Sequence, residues 1–180
     1  MIPELGQRFN AAFTPERYRA FVDELQHRCG ADIQFRVSET PCFFSRELMD
    51  RLASIGSELV HQLIDSPEYR RASDATIAPE FHTPREGDHP LFVQVDFGLV
   101  RGADGRVEPK LVELQAFASL YAFQRFVAQQ YREWWRLPAD LGVFLGGLDD
   151  AAYDALLRRV LVGSHDPEQV ILMEIDAHHQ

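Results

Sequence analysis

The feature that most restricts how this chain can fold is an Asp-Gly step, Asp104-Gly105, set between two alternating runs, Leu91 to Val100 and Val107 to Ala116. Asp-Gly tolerates the positive φ of a tight reversal, so two alternating runs on either side of it predict an antiparallel hairpin. A two-residue turn at this step sets the register. Val93 then faces Ala116, Val95 faces Leu114 and Phe97 faces Val112 on one apolar side, while Gln94 faces Gln115 and Asp96 faces Glu113 on the other. A slip by one residue would mix the two faces, so the pattern itself selects this pairing. Pro109 cannot donate to the ladder and marks a place for a bulge.

Around the hairpin the periodicity is helical. Thr14-Pro15 predicts a cap and a first helix over about residues 15–28, with Tyr18, Phe21, Val22 and Leu25 on one face, ending before Gly30. Ile33 to Val37 alternates as a short strand, and Ser45 caps a longer helix whose stripe Leu48, Leu52, Ile55, Leu59 and Leu63 is expected in the core. Residues 66–90, punctuated by five prolines and glycines, predict a long connection with at most a helical turn. Its His82, Arg85, Asp88 and His89 are either site-lining or simply exposed loop polarity. Ser119 opens an amphipathic helix through Trp134, Gly142 to Gly147 is a loop or short strand, and a last helix spans about 149–160. The continuous apolar run Val170 to Ile175 has the character of a buried strand.

These elements give an α/β fold, with α+β as the alternative: an antiparallel hairpin packed with helices plus a partial parallel, Rossmann-like layer. Three stretches follow. Residues 1–90 form a helical region with a long connection, 91–138 carry the hairpin, its helix and a candidate metal site, and 139–180 start the Rossmann-like unit. A strand apolar on both faces needs cover from elements before and after it, which predicts a chain cut from a longer protein; a docked terminal strand is the alternative.

Charge narrows the partners. With a formal charge of −10 and a pI near 5.1, the chain repels phosphate backbones and anionic lipid, so neither nucleic acid nor a membrane is an expected partner. Cys29 and Cys42 lack a metal or redox spacing and are expected as reduced, buried or half-buried thiols. Met1 to Phe13 has no basic stretch leading into an apolar run, and no segment approaches ~18 apolar residues, so the expected location is the cytoplasm. No G-x-S-x-G or H-E-x-x-H occurs. His178-His179 read as terminal polar residues, and His165-Asp166 before Pro167 as shaping a turn.

The hairpin register sets Asp96 directly opposite Glu113, with Cβ atoms roughly 5 Å apart and like charges repelling. A hard divalent cation would offset that repulsion, and Asp96, Glu113 and the Gln115 carbonyl are oxygen ligands of the kind Mg²⁺ accepts. Screening on a solvent-washed strand face is the competing reading.

The stretch Val93-Gln94-Val95-Asp96-Phe97, then Pro109-Lys110-Leu111-Val112-Glu113-Leu114-Gln115-Ala116, then a helix carrying Gln124 and Gln129 and ending in Trp134-Trp135, resembles the glutathionylspermidine synthetase-like branch of the ATP-grasp ligases. Val170 to Asp176 is similar to the strand that follows, so the resemblance covers about residues 91–176. It implies an incomplete ATP-grasp-type protein in which Asp96, Glu113 and Gln115 hold the Mg²⁺ that carries ATP. The chemistry implied is amide-bond formation: a substrate carboxylate takes the γ-phosphoryl group of ATP, and an amine then displaces phosphate from the acyl phosphate. The family's Arg falls on Gln94, its Asp-Thr-Pro on Phe117-Ala118-Ser119, and the chain has one lysine, Lys110, and no Gly-rich phosphate loop. Those departures fit a second expectation, a non-catalytic binding or interaction module built on the same scaffold.

Overall fold

Three helices begin where the sequence supplies a side-chain oxygen. In the computed structural model, which describes residues 2–30, 32–85, 87, 89–116 and 120–171, Thr14 accepts from the Arg17 N–H to start α2 (Pro15–Cys29), Ser66 from the Tyr69 N–H and Asp149 from the Ala152 N–H. Proline leads α1 (Pro3–Ala11) and α2, where its missing N–H costs nothing. The long α3 (Arg46–Ile64) follows and, after Ser66, the short α4 (Pro67–Asp74). Strands β1 (Gln94–Arg101) and β2 (Val107–Gln115) precede α5 (Tyr121–Trp135) and α6 (Asp150–Leu161). The fold is thus mixed helix and sheet, and among the described residues no helix is long and apolar enough to cross a membrane.

The chain forms two compact units, Met1–Ser45 with Leu120–Gln180, and Arg46–Ser119. The first holds an aromatic core. Phe21 and Leu25 of α2 are fully buried, and the Phe21 ring meets Tyr131 at 4.7 Å and the edge of Trp135 at 4.6 Å between ring centres. Phe9 of α1 closes on Trp135 at 5.1 Å. Arg28 joins α2 to α5 by donating to Gln130 and, at 3.2 Å, to Glu133. The expected strand at Ile33 to Val37 is absent; Asp32 makes only an isolated bridge. At the end of this segment two carbonyls are satisfied by hydroxyls, Tyr18 donating to Val37 and Tyr131 to Ser38.

Both cysteines are exposed, contrary to expectation. Cys29 is the last residue of α2, past the end of the core, and Cys42 neighbours Phe43, which takes the inward position. Helix α5 starts at Tyr121 after Leu120 in the left-handed region (φ 66°); the expected cap Ser119 lies outside the described residues. Val170 and Ile171 are exposed and form no strand, and the rest of the expected final strand, with His178-His179, lies outside the described residues.

Burial, with lesser contributions from Tyr18 and Glu39, holds the Tyr131 hydroxyl protonated well above the ordinary tyrosine range. A folded-state pKa above the unfolded value of about 10 means the folded state binds more protons at alkaline pH. The stability this gives is complete below that value and is lost as pH rises beyond it, at up to about 1.4 kcal/mol per pH unit. Urea midpoints measured from pH ~8 to ~11 are expected to fall, and Tyr131→Phe to fall less steeply.

The second unit layers α3 on one face of the hairpin. The stripe Leu48, Leu52, Ile55, Leu59 and Leu63, expected as core, is half-buried, and Gly56 is the residue of α3 that is fully buried. A methyl group built at Gly56 would lie 3.5 Å from Val95 and 3.7 Å from Phe97, so the helix crosses β1 at ordinary contact distance. Gly56→Ala is therefore expected to raise stability by up to ~1 kcal/mol through helix propensity, whereas Gly56→Leu is expected to cost ~1–3 kcal/mol by overpacking. Thermal unfolding of the two variants checks the pair. The connection at 66–90 holds more structure than expected, since Ser66-Pro67 forms a complete cap that starts α4, with a 3₁₀ turn at Pro79–Phe81.

The hairpin forms, but its turn has three residues rather than two. Gly102 N–H bonds to Arg106 O at 2.8 Å, Gly105 N–H to Gly102 O at 2.9 Å, and Gly105 alone takes the positive φ, 80°. That is a type I turn closed by a glycine in the left-handed region, the usual three-residue hairpin loop. From Arg101↔Val107 to Phe97↔Leu111 the pairing is displaced by one residue from the expected one. A bulge at Val112 then absorbs the displacement, and Asp96↔Glu113, Val95↔Leu114 and Gln94↔Gln115 pair as expected. Phe97 therefore faces Leu111, not Val112, and Pro109 pairs with Leu99 away from the bulge. Val112 turns to the other face, 68% exposed, its Cγ2 3.6 Å from where a Gly98 Cβ would stand.

Candidate functional site

Alternation decides which residues face outward. Val95 and Phe97 pack towards α3, so Gln94 and Asp96, with their partners Gln115 and Glu113, occupy the opposite face of the hairpin. The four expected residues come together there. Gln115 Nε2 donates to Asp96 Oδ2 at 3.3 Å and also to Glu113 Oε1, so one amide nitrogen touches both carboxylates. Gln94 Nε2 donates to the other oxygen of Asp96 at 3.0 Å. Among the described residues no arginine, lysine or histidine forms an ion pair with either acid.

Two carboxylates held by amide N–H groups alone keep their mutual repulsion, only partly offset by dipoles. The donor set suits a small hard cation. If the Gln115 amide turns about its last bond, its carbonyl oxygen replaces the nitrogen beside Asp96 and Glu113, giving three oxygen ligands. Mg²⁺ is usually bound by one or two carboxylates, with waters and phosphate oxygens filling the remaining positions. Among the described residues no group of three or more His, Cys, Asp or Glu side chains is placed to hold a metal ion, so a cation on this face would rest on two carboxylates and an amide oxygen.

Lys110 pairs with Gly98, which puts it on the same face as Asp96, and its ammonium lies 3.2 Å from Glu108. Glu108 was not singled out by the sequence; its place two residues before Lys110 on one strand face is the signal that would have found it. His82, Arg85 and His89 are exposed, none of their described bonds reaches Asp96 or Glu113, and Asp88 lies outside the described residues. Asp166 accepts from the Glu168 N–H and starts the 3₁₀ turn Pro167–Gln169. Compared with known proteins, the chain matches no family model, no curated protein and no solved structure, so the reading of the site rests on its own residues.

Proposed function

We propose that Asp96, Glu113 and Gln115 bind Mg²⁺ and, through it, the phosphates of ATP, and that the chain is one part of an ATP-dependent carboxylate–amine ligase acting on small molecules in the cytoplasm. The observation that carries this reading is the convergence of Asp96 and Glu113 on one amide nitrogen without a neutralising cation among the described residues. The cation would neutralise phosphate oxygens as charge moves between them. The chain's residues supply the rest: Asp96 and Glu113 fix the position, Gln115 completes the oxygen set, and Gln94 orients Asp96. In this reading the hairpin belongs to an ATP-grasp-type fold, and residues 139–180 open a Rossmann-like unit.

A second reading, a non-catalytic binding module, is favoured by one contact. The Gln94 amide occupies Asp96 Oδ1, where the resembling family carries an arginine that would meet developing negative charge. Titrating Mg²⁺ and then a non-hydrolysable ATP analogue against the chain and its Asp96→Asn variant tests the assignment. We expect binding that needs Mg²⁺ and weakens at least tenfold in the variant; equal affinity in both would remove the site, and no nucleotide binding would leave the module.

A further inference from the structure

Away from the hairpin, the first unit contains a cavity of about 110 Å³ walled by Phe9, Phe43, Trp135 and Leu141, with Arg8 and Arg136 also lining it. Two exposed arginines stand among its lining residues. The side chains of Arg8 and Arg136 have no hydrogen bond or ion pair among the described residues. Arg17, its Cζ 5.6 Å from the Trp135 ring centre, lies outside the lining and donates to the Ala12 and Trp134 carbonyls. In a chain of net charge −10, two unpaired arginines lining an apolar pocket favour an anion with an apolar body.

A larger concavity beside Tyr18 lacks this character, because Tyr18, Arg19 and Glu39 there already bond to Val37, Glu16 and Arg36. Size sets the ligand. A void of roughly 150 Å³ takes benzene, so this one has room for an alkyl chain of about three or four carbons. Carboxylate is the head group whose two oxygens match the guanidinium fork.

We propose that this cavity binds a short-chain aliphatic monocarboxylate, with the alkyl chain among Phe9, Phe43, Trp135 and Leu141 and the carboxylate on Arg8 and Arg136. The site is independent of the metal reading, since none of its residues belongs to the hairpin. An alternative origin for the two arginines is helix-dipole compensation, as Arg8 lies in the last turn of α1 and Arg136 caps the end of α5.

The test titrates sodium butyrate into the full chain, following tryptophan emission and the heat of binding. We expect saturation with a Kd of about 1 mM, a reasonable scale for so small a ligand, and no saturable binding of butan-1-ol. The double variant Arg8→Gln, Arg136→Gln is expected to keep its far-UV circular dichroism and bind butyrate at least tenfold more weakly. Leu141→Phe, which fills the void and keeps both cations, is expected to do the same. Equal binding of butyrate and butanol, unchanged affinity in the double variant, as dipole compensation alone would give, or unchanged affinity in Leu141→Phe would each overturn the proposal. So would the absence of saturation at concentrations ten times higher.

Discussion

Phe21→Ala is expected to lower the unfolding free energy by about 3–5 kcal/mol, the cost of emptying a large aromatic site in a packed core. Phe21 is 1% exposed and contacts three rings, those of Tyr131, Trp134 and Trp135, so its removal leaves a void that those rings, tied to helix α5, fill only in part. Against the ~5–15 kcal/mol that holds a typical domain together, the loss is a large fraction. Urea unfolding followed by tryptophan emission measures it directly, because two of the three rings are the reporters. Phe81→Ala serves as the contrast: its ring is 73% exposed, and the same substitution there is expected within ~0.5 kcal/mol of neutral. A Phe21→Ala cost below ~1 kcal/mol would mean the aromatic cluster is not the core of that unit.

Glu113→Lys is expected to abolish Mg²⁺ binding, weakening it at least ~100-fold, while leaving the hairpin as stable or more so. The two effects have one cause. Asp96 and Glu113 face each other across the ladder, and replacing a like-charged pair by an opposite pair is worth roughly 0.2–1 kcal/mol in favour of the folded strand pair. The same ammonium stands where the cation would be and repels it. Calorimetric titration of Mg²⁺ together with thermal unfolding reads both, and the combination separates a lost site from a lost fold. Retained Mg²⁺ affinity in a folded Glu113→Lys protein would place any metal site elsewhere.

Helices α2, α3, α5 and α6 were legible because their causes are local, whereas α1 was not anticipated. Thr14-Pro15, Asp149 and the apolar spacing of α2, α5 and α6 act within a turn or two of the chain. Ser66-Pro67 is as good a signal as these, but the surrounding prolines hid it, and α4 was missed. The short strand at Ile33 to Val37 did not form; at its end the Val37 carbonyl and the next one, Ser38, accept from the hydroxyls of Tyr18 and Tyr131, contacts that alternation in the segment itself does not reveal. The candidate site was readable because the alternation of β1 and β2 next to α3 selects one register. Nearer the loop Leu99 and Val100 are exposed, and the loop's own preference, with positive φ at Gly105, sets the pairing. The amide contacts of Gln94 and Gln115 were not readable, since side-chain torsions leave no trace in periodicity.

The bulge at Val112 separates two demands made on the same ribbon. One extra residue there lets the loop choose its length while the acids keep their partners, much as an expansion joint lets one span lengthen without moving the next. Sequence drift or a grafted peptide at Ala103-Asp104 can thus be accommodated before it reaches Glu113, which makes the tip the natural place to attach a reporter without disturbing the face that carries Asp96.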